Sequence, residues 1–433
     1  MQESDNLKLI LKFFASLCIA MLASLHSLCY AQDIVSDEDA RFRIIDGVAY
    51  LDSCYSAKKT YKVPKSIYRD GKQYAVVGIW EKACAFQLDG PEHTPEKIVL
   101  PDGIRLIGRN AFECAECKKI HIPNSVIEIG EGAFSGIEAS RIKLSDNITV
   151  IKESSFFSTI DLERIHLPKN LHYIYYSAFE GCDWLECIRL PKYVQVIQDR
   201  AFHGCFSLKS LHIPEYVAGI GKDAFSGCKA LSRITVSKRN LTFDSRDNCN
   251  AIIRTACDEL VVGGNKTSIP NTVKRIGPYA FESRQIEHID IPNSVTYIDK
   301  GAFYGCYKLV SITLPDCIEE INYGTFFGCG NLAYVHLPQS LKKIDDYAFS
   351  FVSLSSITIP CNVDSIGNSA FSNCDSLREI HIESPNPIFI GEKAFFRTPV
   401  DSIVLYVPKG SKQQYKSHPQ WGQFANIEES NDG

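Results

Sequence analysis

Leu208 to Cys228 reads LKSLHIPEYVAGIGKDAFSGC, one complete copy of a unit that recurs from about Lys97 to Pro408. The unit is L-x-x-L-x-I-P-x-x-V-x-x-I-G-x-x-A-F-x-G-C. Its phenylalanine sets the beat. Phe112, Phe134, Phe156, Phe179, Phe202 and Phe225 lie 22 or 23 residues apart by subtraction. After a gap, Phe281, Phe303, Phe326, Phe349, Phe371 and Phe395 lie 22 to 24 apart. Pro101, Pro123, Pro168, Pro191, Pro214, Pro292, Pro315, Pro338 and Pro360 keep the same phase. Self-similarity at such a period is the mark of stacked repeats.

The physics of one unit is simple. Leu211-x-Ile213 alternates with period two, so it predicts a short strand with one buried face. Pro214 has no N–H to donate and ends the ladder. Val217 to Ile220 predicts a second short extended segment, and Gly221 suits a turn where a side chain would not fit. The A-F-x-G-C stretch turns the corner with Phe225 inward. One unit cannot bury its own apolar face, whereas stacked copies bury continuous columns of Leu, Ile, Val, Phe and Cys. Strands of neighbouring rungs should run parallel, about 4.8 Å apart.

The I-P-x-x-V-x-x-I-G-x-x-A-F-x-G-C pattern resembles the BspA-type leucine-rich repeat family, mostly secreted or surface proteins of bacteria such as the Bacteroidales and of some mucosal protozoa. The resemblance covers nearly all of the chain after its leader. It implies a right-handed, mainly β leucine-rich-repeat solenoid, with short turns or helical corners and terminal caps, and a binding or adhesion role. Pro214 stands where the plant and animal consensus has Asn, so the usual asparagine ladder is absent.

Composition is ordinary for a soluble protein, with 45% hydrophobic and 22% charged residues and a net charge of −5. A chain of 433 residues would normally divide into globular domains, but a solenoid core grows in one dimension. Residues 1–31 resemble a secretory leader, with Lys8 and Lys12 before an apolar run from Phe13 to Leu28 and a small residue at Ala31. The run is short of the roughly 20 residues a span needs and contains His26. Lipid attachment at Cys29 would want a small residue where Leu28 stands. Residues 32–96 predict an N-terminal cap. There, Asp46-Gly47 turns a hairpin, Tyr74 to Ala83 approximates a rung, and Cys84 takes the phenylalanine position. Repeats fill 97–237 and 270–406, a hairpin insertion is expected over 238–269, and 407–433 reads as a C-terminal cap. In that cap Ser411 to Ser417 predicts a short helix, and Trp421, Phe424 and Ile427 close the core.

Chemistry is sparse. Removing Cys18 and Cys29 from the 17 cysteines leaves 15. Cys182, Cys205, Cys228, Cys306, Cys329 and Cys374 share one repeat position. They read as a buried column, with disulfides between rungs open as the alternative because export invites them. Cys114-x-x-Cys117 is a lone pair, and Cys117 falls on a core position. His121, His166, His212, His336 and His381 share an outward column but skip rungs, so a metal ladder does not fit them. Asp244, Asp247, Asn248 and Asn250 miss the spacing of a calcium loop. Asn147, Asn240 and Asn265 lie in glycosylation sequons. No nucleophile elbow, zinc-protease helix, phosphate loop or dinucleotide fingerprint appears, and no cofactor or metal is expected.

The expected function is that of an exported, non-enzymatic binding solenoid engaging an extracellular matrix protein or glycan. The alternative is an envelope scaffold that binds the organism's own surface components. Neither a nucleic-acid partner nor membrane insertion after leader cleavage is expected. Outward positions beside the buried strand residue carry Lys119, His121, Arg141, Lys143, Arg164, His166, Arg189, His212 and Arg233 in the first half. The second half carries His288, Asp290, Ser311, Thr313, Tyr334, His336, Ser356 and Thr358. The first set forms a cationic stripe of roughly 25 Å at the rung spacing, suited to an extended anionic partner. The plainer alternative is a solvated strand face without a ligand.

Overall fold

A computed structural model describes residues 33–85 and 95–430; the leader reading falls outside them. The chain is a stack of short parallel strands. The first strand of each rung comes from the L-x-I run. Thr60–Lys62, Lys97–Val99 and Lys119–His121 pair in register, as do Arg141–Lys143 with Arg164–His166 and Ser210–Ile213 with Arg233–Val236. The same strands continue to the end of the chain, where Ser356–Ile359, Glu379–Ile382, Val404–Val407 and Asn426–Glu429 form one sheet. The V-x-x-I run supplies a second parallel ladder of two-residue strands, such as Val150–Ile151, Tyr173–Ile174, Val196–Ile197 and Gly219–Ile220.

The corners are turns, not helices. The residues two before and two after the column phenylalanines take the left-handed conformation, as at Arg200 and Gly204 around Phe202 and at Asp223 and Gly227 around Phe225, with Lys393 before Phe395 the exception. That explains the glycine of A-F-x-G-C, since only glycine enters this region without steric cost. The glycine after the strand isoleucine has a different reason. A Cβ on Gly221 would stand 2.3 Å from the backbone nitrogen of Asp199 in the rung below.

The phenylalanines stack as columns. Phe112, Phe134, Phe156, Phe179, Phe202 and Phe225 pack ring on ring with centroids 5.0 to 5.4 Å apart. Phe281, Phe303, Phe326, Phe349, Phe371 and Phe395 do the same at 5.2 to 5.6 Å. The six-cysteine column is buried and its thiols are free. Each thiol donates to a phenylalanine carbonyl one rung back, for example Cys205 to Phe179 and Cys228 to Phe202, at 3.2 and 3.3 Å. Burial raises these thiols well above their usual range, to about 12 at Cys306 and Cys374.

Between the two columns the stack is interrupted. After Arg233–Val236 the chain runs to a two-residue strand, Phe243–Asp244, which pairs antiparallel with Ala251–Arg254 and buries Phe243. The chain then forms an antiparallel hairpin, Ala251–Arg254 with Glu259–Gly263, and the second arm pairs in parallel with Arg275–Ile276. Alternation splits the hairpin. Ile252 and Val262 join the first core, whereas Ala251, Ile253 and Leu260 join the second.

Both ends are covered. At the start, Ala40–Ile45 and Val48–Cys54 turn over Asp46 and Gly47, both left-handed as a tight hairpin requires. Cys84 donates its N–H to Ala111, as a corner phenylalanine would. At the end, a helix at Lys412–Ser417 buries Tyr415, and Trp421 and Phe424 pack on Phe395 at 6.1 and 5.2 Å.

Candidate functional site: a cationic strand face

All nine cationic strand-face residues are exposed. Register places them in two adjoining columns. One runs Lys97, Lys119, then Arg141 beside Arg164, and reappears at Arg233. The other holds His121, Lys143 beside His166, and His212 beside Thr235. Arg189 is exposed in the rung between them. The first column is not continuous, because Cys187 and Ser210 stand opposite one another between Arg164 and Arg233. Lys97 and Lys62 extend the stripe toward the N-terminus. Lys97 could have been found in the sequence, since Lys97-Ile98-Val99-Leu100-Pro101 repeats the strand pattern.

A row of acids borders the stripe one residue further out. Glu163 approaches Arg141 at 3.7 Å, Glu186 pairs with Lys209 at 2.7 Å, and Glu96 pairs with Lys59 at 3.4 Å. The Lys209 ammonium holds the Glu186 carboxyl below its ordinary value. Exposed pairs like these are weak and screened, so they moderate the stripe without cancelling it. His212 is held by a 2.9 Å contact from Nδ1 to the Thr235 hydroxyl.

The other candidate groups are accounted for. The CxxC pair is divided, with Cys114 exposed and Cys117 buried. In the insertion, Asp244 pairs with Arg246 at 2.8 Å, and the Asn250 side-chain oxygen accepts from the Ile234 N–H. The Asn240 amide is buried and donates to Pro214 and Val217, and that of Asn265 donates to Lys229. The Asn147 side chain also donates, to Asn124 at 2.6 Å, but from an exposed position.

The sequence profile of the BspA type leucine rich repeat region, in six copies, matches residues 92–208, 174–253, 263–378 and 297–413. The chain belongs to the BspA-type leucine-rich repeat proteins. No curated protein matches it significantly. Among solved structures, a leucine rich cell surface protein from Faecalibacterium prausnitzii A2-165 is 24% identical, with 82% of this chain and 95% of that one covered and a TM-score of 0.63. The pneumococcal vaccine antigen PcpA is 18% identical over 92% of this chain and 98% of its own, with a TM-score of 0.56. A leucine-rich repeat protein from Bacteroides ovatus ATCC 8483 is 22% identical over 92% and 99%, with a TM-score of 0.55. These likenesses establish the fold. No helix among the described residues is long and apolar enough to cross a membrane.

Proposed function

We propose that this BspA-type protein is an exported, non-enzymatic surface-interaction protein whose first-half strand face binds an extended anionic partner. The observation that carries the reading is the register of exposed cations, Lys119 through Arg164, on adjacent strands. In-register charges repel one another, and an elongated polyanion relieves that repulsion at several rungs together. A sulfated or uronic-acid glycan, or an acidic segment of a matrix protein, has this shape and charge. Surface placement is supported by the F. prausnitzii relative, a leucine rich cell surface protein.

The test is a charge reversal of Arg141, Lys143, Arg164 and Arg189 to Glu, scored on immobilised heparin and on a neutral glycan. Wild type should bind heparin at low salt and elute as salt rises, because exposed charges are screened over about 8–10 Å. The reversed protein should not bind. Equal retention of the two proteins, or no wild-type binding to any polyanion, would refute the reading.

A further inference from the structure

The corner stack obeys one rule. In each regular rung three corner N–H groups donate to the next rung, as Arg200, Phe202 and Gly204 donate to Lys222, Ala224 and Ser226 at 2.8 to 3.0 Å. Tyr279, Phe281 and Ser283 likewise donate to Lys300, Ala302 and Tyr304. The rung of Arg233–Val236 has no corner of its own, because its chain leaves into the hairpin. The N–H groups of Asp223, Phe225 and Gly227 thus lose the partners their position calls for. Among the described residues, no carbonyl accepts from any of the three.

A cleft of about 420 Å³ opens at this place, within the range of natural binding pockets. Its lining includes Lys222, Asp223, Phe225, Pro278 and Lys300. On the opposite lip, Ala280 already accepts from Gly263 and Glu282 from Arg284, but no N–H among the described residues donates to Pro278. Oδ1 of Asp223 is buried without a partner. The cleft therefore presents N–H donors and a buried carboxylate oxygen on one wall and a single unused acceptor, the Pro278 carbonyl, on the other. A polyanion could satisfy only the first wall, whereas a polypeptide main chain offers carbonyls and N–H groups in alternation and satisfies both.

We propose that this notch is a binding site for a short polypeptide segment of a partner protein, taken up through its main chain in place of the absent corner. The segment has small side chains, because the cleft holds only about 420 Å³. Lys222 and Lys300 at the mouth select an acidic residue at one end. Burial raises the Asp223 carboxyl above its ordinary value, which a peptide N–H donated to that carboxylate would reverse. The notch lies among the corners and not on the strand face, so its fate is independent of heparin binding.

The experiment is hydrogen exchange on the full chain at single-amide resolution, with the acetylated and amidated peptide Glu-Ser-Ala-Ser-Gly as probe. In the free protein, Asp223 and Phe225 amides should exchange at least about 100-fold faster than those of Arg200 and Phe202. Millimolar probe should slow them at least about tenfold, and the same peptide N-methylated along its backbone should not. Lys222→Glu with Lys300→Glu, both at exposed positions, should weaken the probe several-fold while leaving the melting curve unchanged. No slowing by the probe, or equal slowing by the N-methylated peptide, overturns the proposal. So does slowing that follows protein concentration alone, which assigns the notch to a second copy, or slowing by sodium glucuronate in place of peptide, which assigns it to a small carboxylate.

Discussion

Arg284 is completely buried, and replacing it with Met should weaken the junction of the two cores more than an ordinary side-chain exchange would. It occupies the cysteine position of its rung, three residues after Phe281. Its guanidinium reaches across the interruption, with Nε donating to Gly263 at 2.7 Å, Nη1 to Cys228 at 2.9 Å and Nη2 to Phe225 at 3.0 Å. Bonds from a charged donor are worth about 1.5–3 kcal/mol each, so the three together supply about 5–9 kcal/mol. Against this stands the desolvation of one guanidinium, several kcal/mol, which lowers its proton affinity. Met keeps the volume and removes the charge cost, but it leaves carbonyls facing a thioether. The difference is a net loss of about 2–4 kcal/mol. The assay is urea denaturation followed by circular dichroism and by tryptophan fluorescence. Trp421 lies in the second core, whereas Trp80 packs against the first and Trp184 is exposed in the same half, so a Trp421→Phe background reports the first half alone. In a one-dimensional stack, weakening one interface uncouples its two sides. The variant should therefore lose stability and also split one transition into two. A single transition with a midpoint unchanged from wild type would show that the hairpin alone joins the halves.

Phe202→Ala should cost about 3–5 kcal/mol and exceed Phe225→Ala by about 0.5–1.5 kcal/mol, since Phe202 stacks on two rings and Phe225 on one; equal midpoints in denaturant would contradict this. Ending the chain at Tyr406 should produce aggregates on size exclusion, because Phe395 and Leu405 lose their cover and an edge strand is bared; a monodisperse product would refute it. Burial, then the charge of Arg200, holds the His203 imidazole below its ordinary value of 6.5. The native state then resists a proton that the unfolded chain accepts, so stability is full above pH 6.5 and falls as pH drops below it. His203→Gln should flatten that part of the curve of unfolding free energy against pH, and an identical curve would remove His203 as its source.

The periodic part of this molecule was legible because each column is dictated by one physical demand. Phenylalanine stacks on phenylalanine, proline stops a ladder, and the A-F-x-G glycine supplies a left-handed residue at a corner. Such demands repeat with every rung, so their residues repeat in the sequence. The strand-face columns were legible for the same reason, since the residues beside Ile142 and Ile165 must face outward. The acids at Glu163 and Glu186 escaped that logic because they lie one residue beyond the alternating run, where the rungs alone decide who approaches whom. The interruption was legible as a broken phase and an apolar hairpin, but its consequence was not. A hairpin sequence carries its own pairing and says nothing about which neighbouring corner goes without partners. One signal was present nonetheless. Arg284 stands in a column otherwise held by six cysteines and by Ala115, Ile137, Thr159, Val352 and Thr398, none of them charged, and a charge in a buried column has to be answered by acceptors. Those acceptors are the carbonyls bordering the missing corner. The residue that departs most from the repeat therefore marks the place where the stack cannot complete its own hydrogen bonding.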